Sequence, residues 1–117
     1  MKRIIIHWTG GASVPNSHEK SCYHYLVDKF GKIYNGKFKP EANEICHSGM
    51  YAPHTGGGNT GSIGISMCGM LGYKNIKNVG NFPITKIQFE ATMQLVAKIA
   101  KKYNIQITPQ TVMTHYE

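Results

Sequence analysis

Histidine is the residue type in this sequence that can take part in the most kinds of chemistry, since its imidazole can bind a metal or transfer a proton near neutral pH. Six histidines are present, at positions 7, 18, 24, 47, 54 and 115. His7 ends a predicted strand near the amino terminus, and His115 ends the last extended segment. Because ligand sites form at strand ends in open α/β sheets, these two imidazoles could meet at one metal ion. The sequence has neither an H-E-x-x-H motif nor a pair of closely spaced cysteines, so spacing alone leaves a structural role open for both.

Five segments are predicted to be extended and to position these side chains. β-Branched and alternating apolar residues indicate strands at Lys2–His7, Cys22–Val27 and Ser62–Cys68, the last apolar on both faces as in a central strand. A turn after the second strand makes Lys32–Gly36 its hairpin partner. Ile107–His115 is the final extended piece.

One helix is predicted over Lys86–Tyr103, where apolar residues recur at helical spacing. Thr85 and Gln88 form a capping-box pattern at its start. The predicted core face carries Phe89, Met93, Val96 and Ala100, widened by Leu95, Ile99 and Tyr103. Strands followed by a helix and another strand indicate a mixed α/β domain.

Two segments are predicted as loops. Gly10–Ser21 is rich in Gly, Ser, Pro and Asn and has too little apolar periodicity for a helix. Lys37–Gly61 is long and irregular, and a loop of that length in a small domain is usually functional or flexible.

Composition limits the classes of protein and partner. The 117 residues carry 13 Lys and Arg against 6 Asp and Glu, a formal charge of +7, and their 41% hydrophobic share fits one globular domain over residues 1–117. The apolar run Ile4–Ile6 is too short for a membrane span or a signal-peptide core, so we expect cytoplasmic synthesis and no membrane insertion. The charge favours an anionic partner, either nucleic acid, anionic lipid or an acidic cell wall. Since no nucleic-acid-binding motif is recognisable, we do not expect a nucleic-acid partner.

Several short motifs occur in one order along nearly the whole chain. They are His7-Trp8-Thr9-Gly10, Tyr23–Asp28 with Gly31–Tyr34, His47-Ser48-Gly49, Asn59–Ile65 and Thr114-His115. Together they resemble the zinc-dependent N-acetylmuramoyl-L-alanine amidases, a family that includes phage endolysins and is related to the peptidoglycan recognition proteins. The resemblance implies an α/β fold in which helices flank a mixed central β-sheet. It also implies zinc-dependent hydrolysis of the amide between N-acetylmuramic acid and L-alanine in bacterial peptidoglycan.

The resemblance also implies a metal centre and a catalytic side chain. His7 matches the first zinc ligand of the family and His115 the second. Tyr23 matches a tyrosine beside the metal, whose hydroxyl orients water or stabilises the developing oxyanion. In such a site zinc activates water and polarises the amide carbonyl.

Three further residues are implied to contact or shape the substrate groove. His47 matches a groove histidine that could meet stem-peptide carboxylates, and Asn59 and Ser62 belong to the motif that shapes the groove. His24 follows Tyr23 directly, so on a strand it faces the opposite way and is expected to be a packing residue. His54 lies in a glycine-rich loop and is expected to be solvated, with the groove rim as its alternative.

The family places a third zinc ligand, Cys or Asp, beyond the second histidine, whereas this sequence stops at Glu117. We therefore expect residues 1–117 to be a single amidase-like catalytic domain whose C-terminal portion is missing. The alternative is a non-catalytic peptidoglycan-binding module with an incomplete metal site. In either case the expected partner is bacterial peptidoglycan, and we expect the protein to bind it as a monomer after release from the cell.

Overall fold

A five-stranded sheet organises the chain in the computed structural model, which describes residues 1–55 and 58–114. The strands are β1 (Arg3–Trp8), β2 (Tyr25–Val27), β3 (Ile33–Asn35), β4 (Ser62–Met67) and β5 (Val112–Thr114). Their spatial order is β3-β2-β4-β1-β5. β4 pairs in parallel with β1 and β2, β5 pairs in parallel with β1, and β3 is antiparallel to β2.

Helices complete the mixed α/β fold, which confirms the predicted fold class. They are α1 (Ser17–Cys22), α2 (Lys86–Lys102) and a 3-10 helix (Pro40–Asn43). Thr85 caps α2 and exchanges hydrogen bonds with Gln88, as the capping-box pattern predicts. Within the described residues, neither α-helix has the length and apolar character needed to cross a membrane.

The two faces of the sheet have different neighbours. The apolar core lies between one face and α2, and it contains Ile4, Ile6, Val27, Ile63, Ile65, Leu95, Val96, Ile99 and Ala100. Because side chains alternate along a strand, Ile5 and His7 of β1 project to the opposite face. Ser62, Gly64 and Ser66 of β4 share that opposite face. The sheet thus separates a mainly apolar layer from a layer that contains histidine.

Two local predictions were wrong. Gly10–Ser21 contains most of α1, which is capped reciprocally by Asn16 and Glu19, and a helix of six residues is too short to show an apolar stripe. The predicted strand Cys22–Val27 therefore shortens to β2.

The buried face of α2 is also rotated from the predicted one. Phe89 is 49% exposed, whereas polar residues take buried positions on the helix.

Gln88 is the polar residue that joins α2 to the sheet. Its side chain is fully buried, and its Nε2 donates to the carbonyls of Val27 and Cys68, each at 2.8 Å. Its Oε1 accepts from the backbone N–H of Thr85. The amide therefore satisfies backbone groups at the ends of β2 and β4 and at the start of α2 together.

We expect Gln88→Leu to lower the free energy of unfolding by about 2–4 kcal/mol, because the Cys68 carbonyl and the Thr85 N–H lose their partner inside the protein. Urea denaturation measures the change. Gln94→Leu on the exposed side of the same helix is the matched control, and its effect should stay within about 0.5 kcal/mol. Equal losses in the two variants would contradict the structural role of Gln88.

Candidate functional site

Three side chains meet on the face of the sheet opposite α2. The ring centroids of His7 and Tyr23 are 5.2 Å apart at an interplanar angle of 54°. His54 meets His7 edge to face, with centroids 5.1 Å apart. His7 is 6% exposed and His54 is 7% exposed, while Tyr23 is half-buried. We refer to His7, Tyr23 and His54 as the histidine–tyrosine cluster.

Polar atoms of the cluster lie within hydrogen-bonding distance of one another. His7 Nε2 is 3.1 Å from His54 Nδ1. The hydroxyl of Thr55 is 3.0 Å from His54 Nδ1 and 3.4 Å from His7 Nε2. On its other side, His54 Nε2 is 3.2 Å from the backbone carbonyl oxygen of Ser62. The imidazole of His54 therefore bridges the start of β4 and the side chain of His7.

His24 packs against the cluster, which confirms its role as a packing residue. The expectation that it faces the opposite way from Tyr23 was wrong, because β2 begins only at Tyr25 and both side chains lie on the cluster side of the sheet. It is buried, and its ring meets that of His54 edge to face at 5.4 Å. Its Nδ1 accepts from the Gly64 N–H, so its Nε2 carries the proton and donates to the Asn43 amide oxygen; both distances are 2.9 Å. Burial lowers the pKa of His24 from 6.5 to about 4, outweighing the Asn43 hydrogen bond and the Glu41 charge, which raise it.

Gly64 creates the space that His54 occupies. A Cβ at this position would lie 2.5 Å from Cγ and 2.8 Å from Nδ1 of the His54 ring. A glycine in the middle of a buried strand often marks such a close approach. Because β4 has no side chain here, the imidazole packs directly on the strand backbone.

The expectation that His54 is solvated was wrong. The turn that follows His54 is fixed by Asn59, whose Oδ1 accepts from the Thr55 N–H at 2.8 Å. The chain around Ala52 is held by Asn43, whose side chain both accepts from the Ala52 N–H and donates to its carbonyl. The polar composition of the loop predicts solvent exposure and so gave no indication of this burial. The sequence signal that could have indicated it was Gly64, a glycine in the middle of the buried strand β4.

The structure brings together only some of the predicted site residues. His7 and Tyr23 are in contact, whereas His47 is exposed. Asn59 acts on the loop that carries Thr55. His115 lies outside the described residues, and Thr114 before it pairs with Ile6 of β1.

Ser62 lies apart from the histidine–tyrosine cluster. Its side chain is fully buried at the start of β4, opposite Arg3 and at the other end of the strands from His7. The hydroxyl donates to the Gly58 carbonyl at 2.6 Å and accepts from the Arg3 guanidinium at 2.8 Å. In this structure the side chain therefore joins the start of β4 to Arg3 of β1 and to the preceding turn at Gly58.

Imidazole nitrogens suit zinc, and the cluster supplies them at strand ends. Residues 1–55 and 58–114 hold no group of three His, Cys, Asp or Glu side chains that could bind a metal. Ser66, which pairs with His7 in the β1–β4 register, adds a buried hydroxyl that lacks a hydrogen-bond partner among the same residues. The described donors thus fit part of a zinc site.

Comparison with known proteins identifies the family. The model of the Amidase_2 family, described as N-acetylmuramoyl-L-alanine amidase, matches residues 1–117, and the chain belongs to this family. No curated protein sequence matches the chain.

Solved structures share the fold at low sequence identity. Drosophila peptidoglycan recognition protein SD is 19% identical with a TM-score of 0.64, and the match covers 98% of this chain and 69% of that one. The N-acetylmuramoyl-L-alanine amidase LysC from Clostridium intestinale URNW has the same identity and TM-score, over 97% and 69% of the two chains. Bumblebee peptidoglycan recognition protein SA is 18% identical, with a TM-score of 0.63 and coverage of 97% and 69%.

The lowered pKa of His24 predicts a dependence of stability on pH. The unfolded chain binds a proton at His24 near pH 6.5, and the folded chain binds it only near pH 4. The free energy of unfolding should therefore fall as the pH drops from about 6.5 to about 4, by on the order of 3 kcal/mol from this residue. Urea titrations across this range measure the change. His24→Gln should weaken the dependence and His18→Gln should preserve it; an unchanged dependence in His24→Gln would contradict the assignment.

Gly64→Ala tests how closely His54 packs on β4. We expect a loss of about 1–3 kcal/mol in the free energy of unfolding, because the new methyl group overlaps the His54 ring. Ser66→Ala is the control on the same face of the same strand, and it should be neutral or stabilising because it removes a buried hydroxyl without a described partner. A neutral Gly64→Ala would show that the ring packs elsewhere.

Proposed function

We propose that this chain is a zinc-dependent amidase that cleaves the bond between N-acetylmuramic acid and L-alanine in bacterial peptidoglycan. The observation that carries the proposal is the contact between His7, near the end of β1, and Tyr23, at the end of α1, in a chain of the N-acetylmuramoyl-L-alanine amidase family. The formal charge of +7 suits an anionic wall polymer. We further propose that the protein acts as a monomer on the wall after release from the cell.

His7 and His115 would hold the zinc. The pairing of Thr114 with Ile6 supports this assignment, because these two residues directly precede His115 and His7 in the sequence. When bound, zinc supplies Lewis-acid activation of water and of the substrate carbonyl. His7 contributes a largely buried imidazole, and burial strengthens electrostatic interactions with a cation.

Tyr23 would act on the reacting carbonyl. Its ring lies against His7, and its side chain is half-buried, so substrate can reach it from solvent. A phenol O–H can donate a hydrogen bond to the oxyanion that develops when water attacks an amide. We therefore assign Tyr23 as the catalytic hydrogen-bond donor.

A peptidoglycan-binding module without catalysis is the second candidate. It is favoured by the lack of a three-ligand metal group within residues 1–55 and 58–114. One structural relative with 19% identity, the ectodomain complex of the recognition proteins LCa and LCx, is described as bound to tracheal cytotoxin. A binding module would use the same face of the sheet to hold wall fragments intact.

Digestion of purified, insoluble peptidoglycan distinguishes the two candidates. Mass spectrometry should detect stem peptides with a new L-alanine amino terminus, and a chelator should abolish their release until zinc is restored. We expect His7→Ala to lose activity by at least about 100-fold, and Tyr23→Phe to lower kcat by about 100- to 1,000-fold while it retains zinc.

His18→Ala, on the exposed side of α1, is the matched control and should retain full activity. A chain that sediments with the wall but releases no peptide, with zinc present, would support the binding module instead. Amide cleavage that survives both chelation and His7→Ala would contradict the metal-dependent mechanism.

A further inference from the structure

The hydrogen bonds of His54 determine where its proton lies. Its Nε2 is 3.2 Å from the carbonyl oxygen of Ser62, and a carbonyl oxygen can only accept. His54 therefore carries its proton on Nε2, and in the neutral ring the lone pair is on Nδ1. That lone pair points to the side of the ring where His7 and Thr55 lie.

The proton on His54 in turn determines the tautomer of His7. His7 Nε2 is 3.1 Å from the acceptor His54 Nδ1, and two lone pairs facing each other at this distance would repel. His7 Nε2 therefore carries a proton and donates it to His54. In the neutral ring of His7 the lone pair is then on Nδ1, the nitrogen on the side away from His54.

We propose that His54 is a positioning residue, which holds His7 as the Nε2–H tautomer and so makes Nδ1 the atom that binds the metal. The inference deepens the zinc site proposed above and rests on it. A histidine that binds a metal typically donates its other N–H to a neighbouring acceptor, which fixes the ring orientation and raises its basicity. Here the acceptor is a second imidazole, anchored to the main chain of β4.

The surroundings of His54 make this arrangement rigid. The ring lies over Gly64, where even a Cβ would overlap it, and it meets the buried ring of His24 edge to face. Asn59 fixes the following residue, Thr55, through its backbone N–H. Because His54 is 7% exposed, water has little access with which to replace the hydrogen bond to His7.

The Thr55 hydroxyl is the competing donor, since it lies 3.0 Å from His54 Nδ1. Its oxygen is also 3.4 Å from His7 Nε2, longer than the 3.1 Å between His7 Nε2 and His54 Nδ1, so His54 is the nearer acceptor for the His7 proton. Thr55→Val separates the two contributions, because it removes the hydroxyl and leaves the imidazole pair. If His54 controls the tautomer, His7 should keep its Nε2 proton in this variant.

Nitrogen NMR of the zinc-free, 15N-histidine-labelled chain tests the inference directly. Long-range 1H–15N correlation spectra distinguish a protonated ring nitrogen from one with a lone pair, and single histidine variants assign the signals. We expect Nε2–H and a lone pair on Nδ1 for His7 in the wild type and in Thr55→Val. Protonation of His7 on Nδ1 in the wild type would overturn the inference.

Zinc affinity, measured by competition with a chelator, provides the second readout. His54→Phe keeps a ring over Gly64 but removes the acceptor, and we expect it to weaken zinc binding by about 10- to 100-fold. His54→Asn restores an amide acceptor near the position of Nδ1 and should recover part of that loss. Unchanged zinc affinity in His54→Phe would count against a positioning role.

The NMR spectra test the tautomer of His7 and the zinc affinity tests the metal site, so a negative result in one experiment does not decide the other. Zinc-free spectra that show His7 as the Nε2–H tautomer, in a wild-type chain that binds no zinc, would overturn the proposed function and leave the tautomer assignment supported. If His54→Phe does not fold, the wild-type spectrum alone decides the assignment. His18→Phe, on exposed α1, is the matched control and should change neither the tautomer of His7 nor the zinc affinity.

Discussion

The parallel pairing of β1 with β4 is the constraint on which the candidate site depends. It sets Ile4 and Ile6 of β1 beside Ile63 and Ile65 of β4, all in the layer packed on α2. Strand alternation then sends His7 to the opposite face together with Gly64. A slip of one residue would exchange the two faces and place the imidazole in the apolar core.

On the polar face, burial is tolerated because the polar groups are connected. Asn43 joins the loop at Ala52 to His24, His24 accepts from the Gly64 backbone, and His54 lies on that same glycine. Each imidazole therefore has partners that define its proton position, which avoids the cost of an unpaired buried group. The network holds an irregular loop in one arrangement against the sheet.

Regular elements were predictable from the sequence because their signals are local. The isoleucine-rich strand before His7 and the Thr85 capping box both form as the pattern indicates. The short helix α1 was missed because six residues carry no periodicity, although Asn16 and Glu19 have the spacing of a capping box. The buried position of Gln88 was also missed, because helical periodicity describes apolar faces and not a side-chain amide that satisfies strand ends.

For the site, the sequence motifs directed attention to His7 and Tyr23, which are in contact, but they gave no reason to select His54. Its position depends on a tertiary contact, the packing of its ring on Gly64, and a glycine within a strand indicates a close approach without indicating which residue makes it. Loop composition predicted solvent exposure, and the hydrogen bonds of Asn43 and Asn59 outweigh that tendency. A polar composition is therefore a poor predictor of solvent exposure for loops whose backbone groups are hydrogen-bonded to asparagine side chains.

The central claim is that His7 binds zinc through the nitrogen that faces away from His54. Anomalous X-ray diffraction at the zinc edge, from crystals of the zinc-loaded chain, tests it most directly. A single strong peak at bonding distance from His7 Nδ1, with His54 hydrogen-bonded to Nε2, is the predicted result. A peak bonded to His7 Nε2, or a zinc ion held away from His7, would contradict the claim.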